Sequence, residues 1–458
     1  MRASAEAVAG YERALDRLLR LHPNVVTEVE QLTMVHPEAA MGHALAAYLN
    51  LTGTNPADLA SAVTAAAALA QQARHPRELG HLAAVESWLA GDWFAASARL
   101  DDVLEQWPTD LLALAVGHQL DFFLGDAANL RDRVGRSLPA LDPDHPHTGF
   151  VRGMQSFGLE ESGHYGRAEE AGLAAVATNP DDVWAIHAVV HTYEMQGLVD
   201  TGTRFMLDRQ GDWGDGNLFT VHNWWHLALY ALEAGDRQLA LAIYDAHIHG
   251  PGAAGVPIEL LDASALLWRF RLDDADTDDR FPALAEAWRP ATIKDPWYVF
   301  NDLHAVMAYA GAGQIDEAKA GIDRLKVYLT TATGTNAVMT ARIGIPTCSA
   351  VVAFAQGRYA DVIEDLHPIR QALHHFGGSH AQRDALQRTL LESALRSNRP
   401  ALAAALTAER VSWRERSSYN WNQRARALRG LGQPEGADAA EARAERYQAE
   451  FKAAFLAV

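Results

Sequence analysis

Apolar residues recur along most of this chain at three- and four-residue intervals, in runs of helical length that close on a glycine. HALAAYLNLTG (His43 to Gly53), HAVVHTYEMQG (His187 to Gly197) and HNWWHLALYALEAG (His222 to Gly235) show the pattern. Each predicts an amphipathic helix followed by a tight turn, where a residue without Cβ avoids the steric penalty. After the glycine a second helical run begins, with a small residue about five positions on. Gly91, Gly125, Gly163, Gly197 and Gly235 stand 34, 38, 34 and 38 residues apart, and Gly313, Gly357 and Gly432 open later copies. Pro108 and Pro180 each fall 17 residues after such a glycine, where they stop the second helix.

A helix pair of this kind cannot bury its apolar face alone, so neighbours must stack. Length, glycine placement and proline placement resemble the tetratricopeptide repeat. The expected fold is therefore all-α, an α-α superhelix: a tetratricopeptide-like right-handed solenoid that can curl around a central cavity. Residues 1–35 read as an N-terminal helical cap, 36–395 as the repeat array, and 396–458 as a C-terminal helical repeat and cap. Gly53 is a weak ending, and a degenerate unit between Gly235 and Gly313 places its turn near Asp274. LDDADTDDRF (Leu272 to Phe281) reads as a solvated acidic loop, and TTATGTNAVMTARIGIP (Thr330 to Pro346) as a longer connection.

Composition narrows the function. The formal charge is -19, from 39 Lys and Arg against 58 Asp and Glu, and such a field repels nucleic acid. No run approaches about 18 uninterrupted apolar residues, so no membrane span is expected. The first residues lack a basic tip followed by an apolar block, which argues against a secretory signal. Cys348 is the single cysteine, which excludes an intramolecular disulfide and any multi-cysteine metal site. The expected location is cytoplasmic.

Beyond the repeat, HNWWH (His222 to His226) and the block from Gly377 to Asp384 (GGSHAQRD) carry a closer likeness. With HPIRQALHHFGGSHAQRDALQRTLL and FNDLHAVMAYAG, they resemble the tetratricopeptide repeat protein 38 family in order, from about His36 to Leu395. The resemblance implies an α-helical repeat protein and brings no reaction with it.

The 20 histidines carry the chemical signal. With each repeat glycine numbered 15, positions 4, 7, 8 and 11 share one side of the first helix, and 2, 5, 9 and 12 another. By resemblance, the second set lines the concave groove. His43, His81 and His187 take position 5, His191 position 9, Glu194 position 12, His222 position 2 and Trp225 position 5. His226 and His304 flank the groove at position 6, while Ser264 and Trp268 share its face in the degenerate unit. His118 falls at position 8 and reads as a packed core histidine.

Imidazole, indole and carboxylate from separate repeats thus aim into one channel, which suits a small polar ligand. The leading expectation is a pocket protein, plausibly an enzyme, with His187, His191, Glu194, His222 and His226 in acid/base roles. His43, His81, Trp225, Asp262, Ser264, Trp268, Asp302, His304, Ser379 and Arg383 are the candidate ligand-binding residues. Ser379 follows two glycines at a helix start, where it can cap the helix or hold an anion. No cofactor motif is present, no cofactor is assigned, and no residue is assigned to a metal in this leading view. One alternative is a scaffold that binds a peptide or partner protein in the groove. A second is a metal site, because His187-x3-His191 and His222-x3-His226 each put two imidazoles one turn apart on one face.

Overall fold

The computed structural model describes residues 4–250 and 253–456, and among them there is helix and no strand. Helices alternate as antiparallel pairs: Pro76–Leu89 with Trp93–Gln106, Leu111–Leu124 with Ala127–Ser137, Thr148–Glu161 with Tyr165–Thr178, Val183–Gln196 with Val199–Asp208. The chain is an α-α superhelix built from these pairs. All eight glycines that mark the repeat adopt positive φ, from 67° at Gly125 to 84° at Gly91. Gly53 does not, and Thr54 takes the left-handed conformation there; in the degenerate unit Asp274 does so, with φ of 52°. The aspartates Asp92, Asp126 and Asp236, just after three of these glycines, cap the second helices by accepting a backbone N–H.

The superhelix coils tightly enough to meet itself. Thr335 donates its backbone N–H to the Gly91 carbonyl at 2.9 Å, and Asn301 reaches Thr54 at 3.1 Å. A Cβ on Gly125 would lie 1.7 Å from the His374 carbonyl oxygen, and one on Gly197 2.5 Å from that of Arg416. Two turn glycines therefore seat the returning C-terminal third of the chain. The concave side, expected as a groove or central cavity, holds the helix His380–Arg396, buried along nearly its whole length. Helices facing it are covered on both sides, so in Val183–Gln196 only Trp184 and Gln196 escape full burial.

The stretch Thr330–Pro346, expected as a connection, is a correction. Only the residues up to Gly334, at φ 92°, form a break. Helix runs from Thr335 to Ala355, with a π turn at Thr340–Gly344 just before Pro346. Proline lacks the N–H that the α ladder needs, and the wider turn accommodates that loss while Met339, Ile343 and Cys348 bury their side chains. By length and composition this helix could cross a membrane; 67% of its most apolar window is buried inside the fold, as in a core helix. The acidic loop is exposed at Asp273, Asp274, Asp276 and Asp278.

Candidate functional site

Four adjacent first helices and the returning helix His380–Arg396 converge on one buried cluster. Thr148–Glu161 supplies Glu160 and Glu161, and Val183–Gln196 supplies His187, His191 and Glu194. Thr220–Glu233 supplies His222, Trp225 and His226, and Pro257–Leu272 supplies Asp262. One ring nitrogen from each of His187, His191, His222 and His226 lies within 4.8 Å of the others. His222 Nε2 and His187 Nε2 are 3.1 Å apart. Ring centroids of His187 and His226 each stand 4.4 Å from that of His191.

Carboxylates hold these rings from outside. His222 Nδ1 lies 2.7 Å from Asp262, His226 Nδ1 2.9 Å from Glu194, and His191 Nδ1 3.7 Å from Glu160. An ionised carboxylate only accepts, so the proton of His222 and of His226 sits on Nδ1 and leaves Nε2 as a bare lone pair. Phe157 packs against His187 and His191, and Phe219 against His187 and His222. Trp225 stacks on His222 with 5.3 Å between centroids. His222 is the most exposed ring of the four, its side chain 13% accessible.

Burial, then repulsion from neighbouring imidazoles, holds His187, His191 and His226 well below the ordinary histidine range. The rings are therefore neutral, the form that donates a lone pair. Burial, then Glu161 and Glu194, pushes Glu160 well above the usual carboxylate range. Several polar atoms in this buried cluster have no partner among the protein groups: His187 Nδ1, both nitrogens of His191, His226 Nε2 and both oxygens of Glu160. Any tautomer of His191 leaves a buried N–H unmatched, an expensive arrangement in a protein interior.

Of the residues singled out in the sequence, His187, His191, Glu194, His222, His226, Trp225 and Asp262 meet here. The others have partners of their own. His43 bonds the Pro37 carbonyl at 2.8 Å, and His81 sits between Tyr48 and Asp110, each at 3.0 Å. Ser264 bonds the Leu260 carbonyl and receives the Trp288 N–H, while Trp268 donates to Thr389. Asp302 pairs with Arg324 at 2.6 Å, and His304 bonds the Phe300 carbonyl at 2.7 Å. Ser379 caps the helix His380–Arg396 in a reciprocal capping box with Gln382. Arg383 bonds the Gly378 carbonyl and Glu161. His118 is buried against Phe157 and Trp184.

Glu160 and Glu161 are the site residues that sequence reasoning passed over. The signal was available: counted back from Gly163, Glu160 takes position 12, the position Glu194 takes in the next repeat.

No family model matches the chain. Ribosome maturation factor RimM of Burkholderia multivorans is 32% identical over 151 residues, 31% of this chain. The chain spans 62% of that protein's length. Among solved structures, a human IFIT1 dimer with m7Gppp-AAAA is 11% identical with a TM-score of 0.42, covering 98% of this chain and 96% of that one. Yeast Tom70 is 11% identical with a TM-score of 0.36, covering 98% and 96%.

Proposed function

We propose that this chain is a metal-binding helical-repeat protein in which His187, His191, His222 and His226 hold one first-row divalent transition-metal ion. The observation that carries the reading is the set of buried nitrogens without partners. Donor atoms around such an ion stand about 3 to 4 Å apart, and the spacing of the four rings is of that order. An all-imidazole donor set suits zinc, iron, copper or nickel better than the hard cations that prefer oxygen. Four neutral rings bring no charge, so Asp262 and Glu194 supply the balance from the far side of two of them. The same carboxylates fix tautomer and ring orientation, the arrangement that imidazole ligands ordinarily have.

A second reading uses the same residues without an ion. His222, oriented by Asp262 and partly exposed, then serves as a general base on a small polar molecule, with His187 beside it. The two readings part at the unpartnered nitrogens, which acid/base chemistry leaves unmatched.

Elemental analysis of untagged protein distinguishes them. The expected result is one equivalent of a transition metal per chain, retained through gel filtration and lost in His191→Ala at unchanged helical circular dichroism. Metal-free protein that also fails to take up added Co(II) would refute the metal reading and leave the acid/base one.

A further inference from the structure

We infer that a cavity of 570 Å³ beside the histidine cluster is the chamber for a small organic anion with an apolar body, a reading that rests on the metal site proposed above. Position is the first argument. Glu161 lines the cavity, and Glu161, Glu160 and His191 offer donor atoms that all lie within 4.8 Å of one another. One side chain therefore separates the cavity from a ring of the cluster. The helix His380–Arg396 lines the cavity beside Glu161, through His380, Arg383 and Leu390.

The lining is the second argument. Phe122, Leu130, Leu390, Leu406 and Trp413 supply its apolar surface. Arg370, Arg383 and Arg410 also line it, with His374 and His380. The Arg383 and Arg410 side chains are 8% and 9% exposed, so two guanidinium groups are kept out of bulk water at the wall. Arg370 Nε is buried without a partner, and its nearest carboxylate, Glu409, is 3.6 Å away and half in solvent. The lining carboxylates do not offset this evenly. Asp121 is taken by Arg133 at 2.7 Å and by Ser97 at 2.7 Å, and Glu161 is taken by Arg383 and the His380 N–H. Arg383 and Arg410 are engaged in turn, by Glu161 and by Asp384 at 2.7 Å, so the uncommitted donor at the wall is Arg370 Nε, part of a guanidinium that recognises carboxylate or phosphate oxygens. The volume lies within the range of about 300–1,000 Å³ that ordinary ligand sites occupy.

The test uses octanoate, its neutral counterpart 1-octanol, and full-length protein loaded with Co(II). Calorimetry should show saturable 1:1 binding of octanoate, with weaker binding of 1-octanol. Arg370→Gln, which removes a guanidinium from a partly exposed position, and Leu406→Trp, which adds bulk at the apolar surface, should each weaken octanoate by about tenfold or more. Bound octanoate should also shift the visible absorption of the cobalt, because the cavity adjoins His191. Absence of 1:1 binding, or binding untouched by both variants, overturns the chamber. Tight binding with an unchanged cobalt spectrum overturns its link to the histidine cluster. Failure of cobalt to bind is seen before octanoate is added and counts against the metal reading alone; octanoate binding to that protein still tests the cavity.

Discussion

Replacing Asp262 by asparagine tests the histidine cluster with little steric change. Asparagine has nearly the same shape, and its amide oxygen can still accept from His222 Nδ1, now 2.7 Å from the carboxylate. What is lost is one negative charge at a position 1% exposed. The imidazole spans about 2.2 Å between nitrogens and a metal–nitrogen bond is about 2.1 Å, so the charge stands about 7 Å from the ion. At an effective dielectric of about 20, unit charges at that distance interact by about 2.4 kcal/mol. With much of the ion's charge spread onto four imidazoles, the affinity loss is about 2–3 kcal/mol, or roughly 30- to 150-fold. Competition for Co(II) or Zn(II) against a chromophoric chelator reads this directly. Asp302→Asn is the control: that carboxylate is 11% exposed, pairs with Arg324, and should leave metal affinity unchanged. If Asp262→Asn holds metal within about threefold of the unaltered chain, the carboxylate is not balancing an ion and the proposed centre is wrong.

Three further outcomes are expected. Gly125→Ala should destabilise the chain far more than Gly163→Ala: both have positive φ, but a Cβ meets the His374 carbonyl at 1.7 Å in the first and open space in the second. Urea melts should give about 1 kcal/mol for Gly163→Ala and several for Gly125→Ala; equal losses would show that the returning chain does not rest on that turn. Arg133→Met should cost about 3–5 kcal/mol, because it strands Asp121, fully buried at 2.7 Å from the guanidinium, and a loss under about 1 kcal/mol would contradict this. Asp182 caps the helix Val183–Gln196 with one oxygen while burial pushes its carboxyl up to about 7 and leaves the other oxygen without a partner. The folded chain therefore holds this proton over a range where the unfolded chain has released it, so stability falls as pH rises from about 4 to 7. Asp182→Asn keeps the cap and removes that slope, gaining at most about 4 kcal/mol at pH 8 relative to pH 4; parallel pH profiles for the two proteins would disprove it.

The repeat was legible because its signals are local. A glycine at Gly91 or Gly313 ends a helix through its own φ, and three- and four-residue apolar spacing sets the buried face of each helix before any neighbour arrives. His187 and His191, one turn apart, share a face by helical geometry alone, and so do His222 and His226. Which face meets which was not local. Superhelical curvature, summed over the array, brought His374 onto the Gly125 turn and Arg416 onto the Gly197 turn, and drove the helix His380–Arg396 into the groove. That closure buried the imidazoles, left His191 and Glu160 without partners, and set Glu161 between the cluster and a cavity. It also kept His43, His81 and Asp302 in separate contacts despite their register, because sharing a position in the repeat aligns residues along a surface and does not draw them to a point.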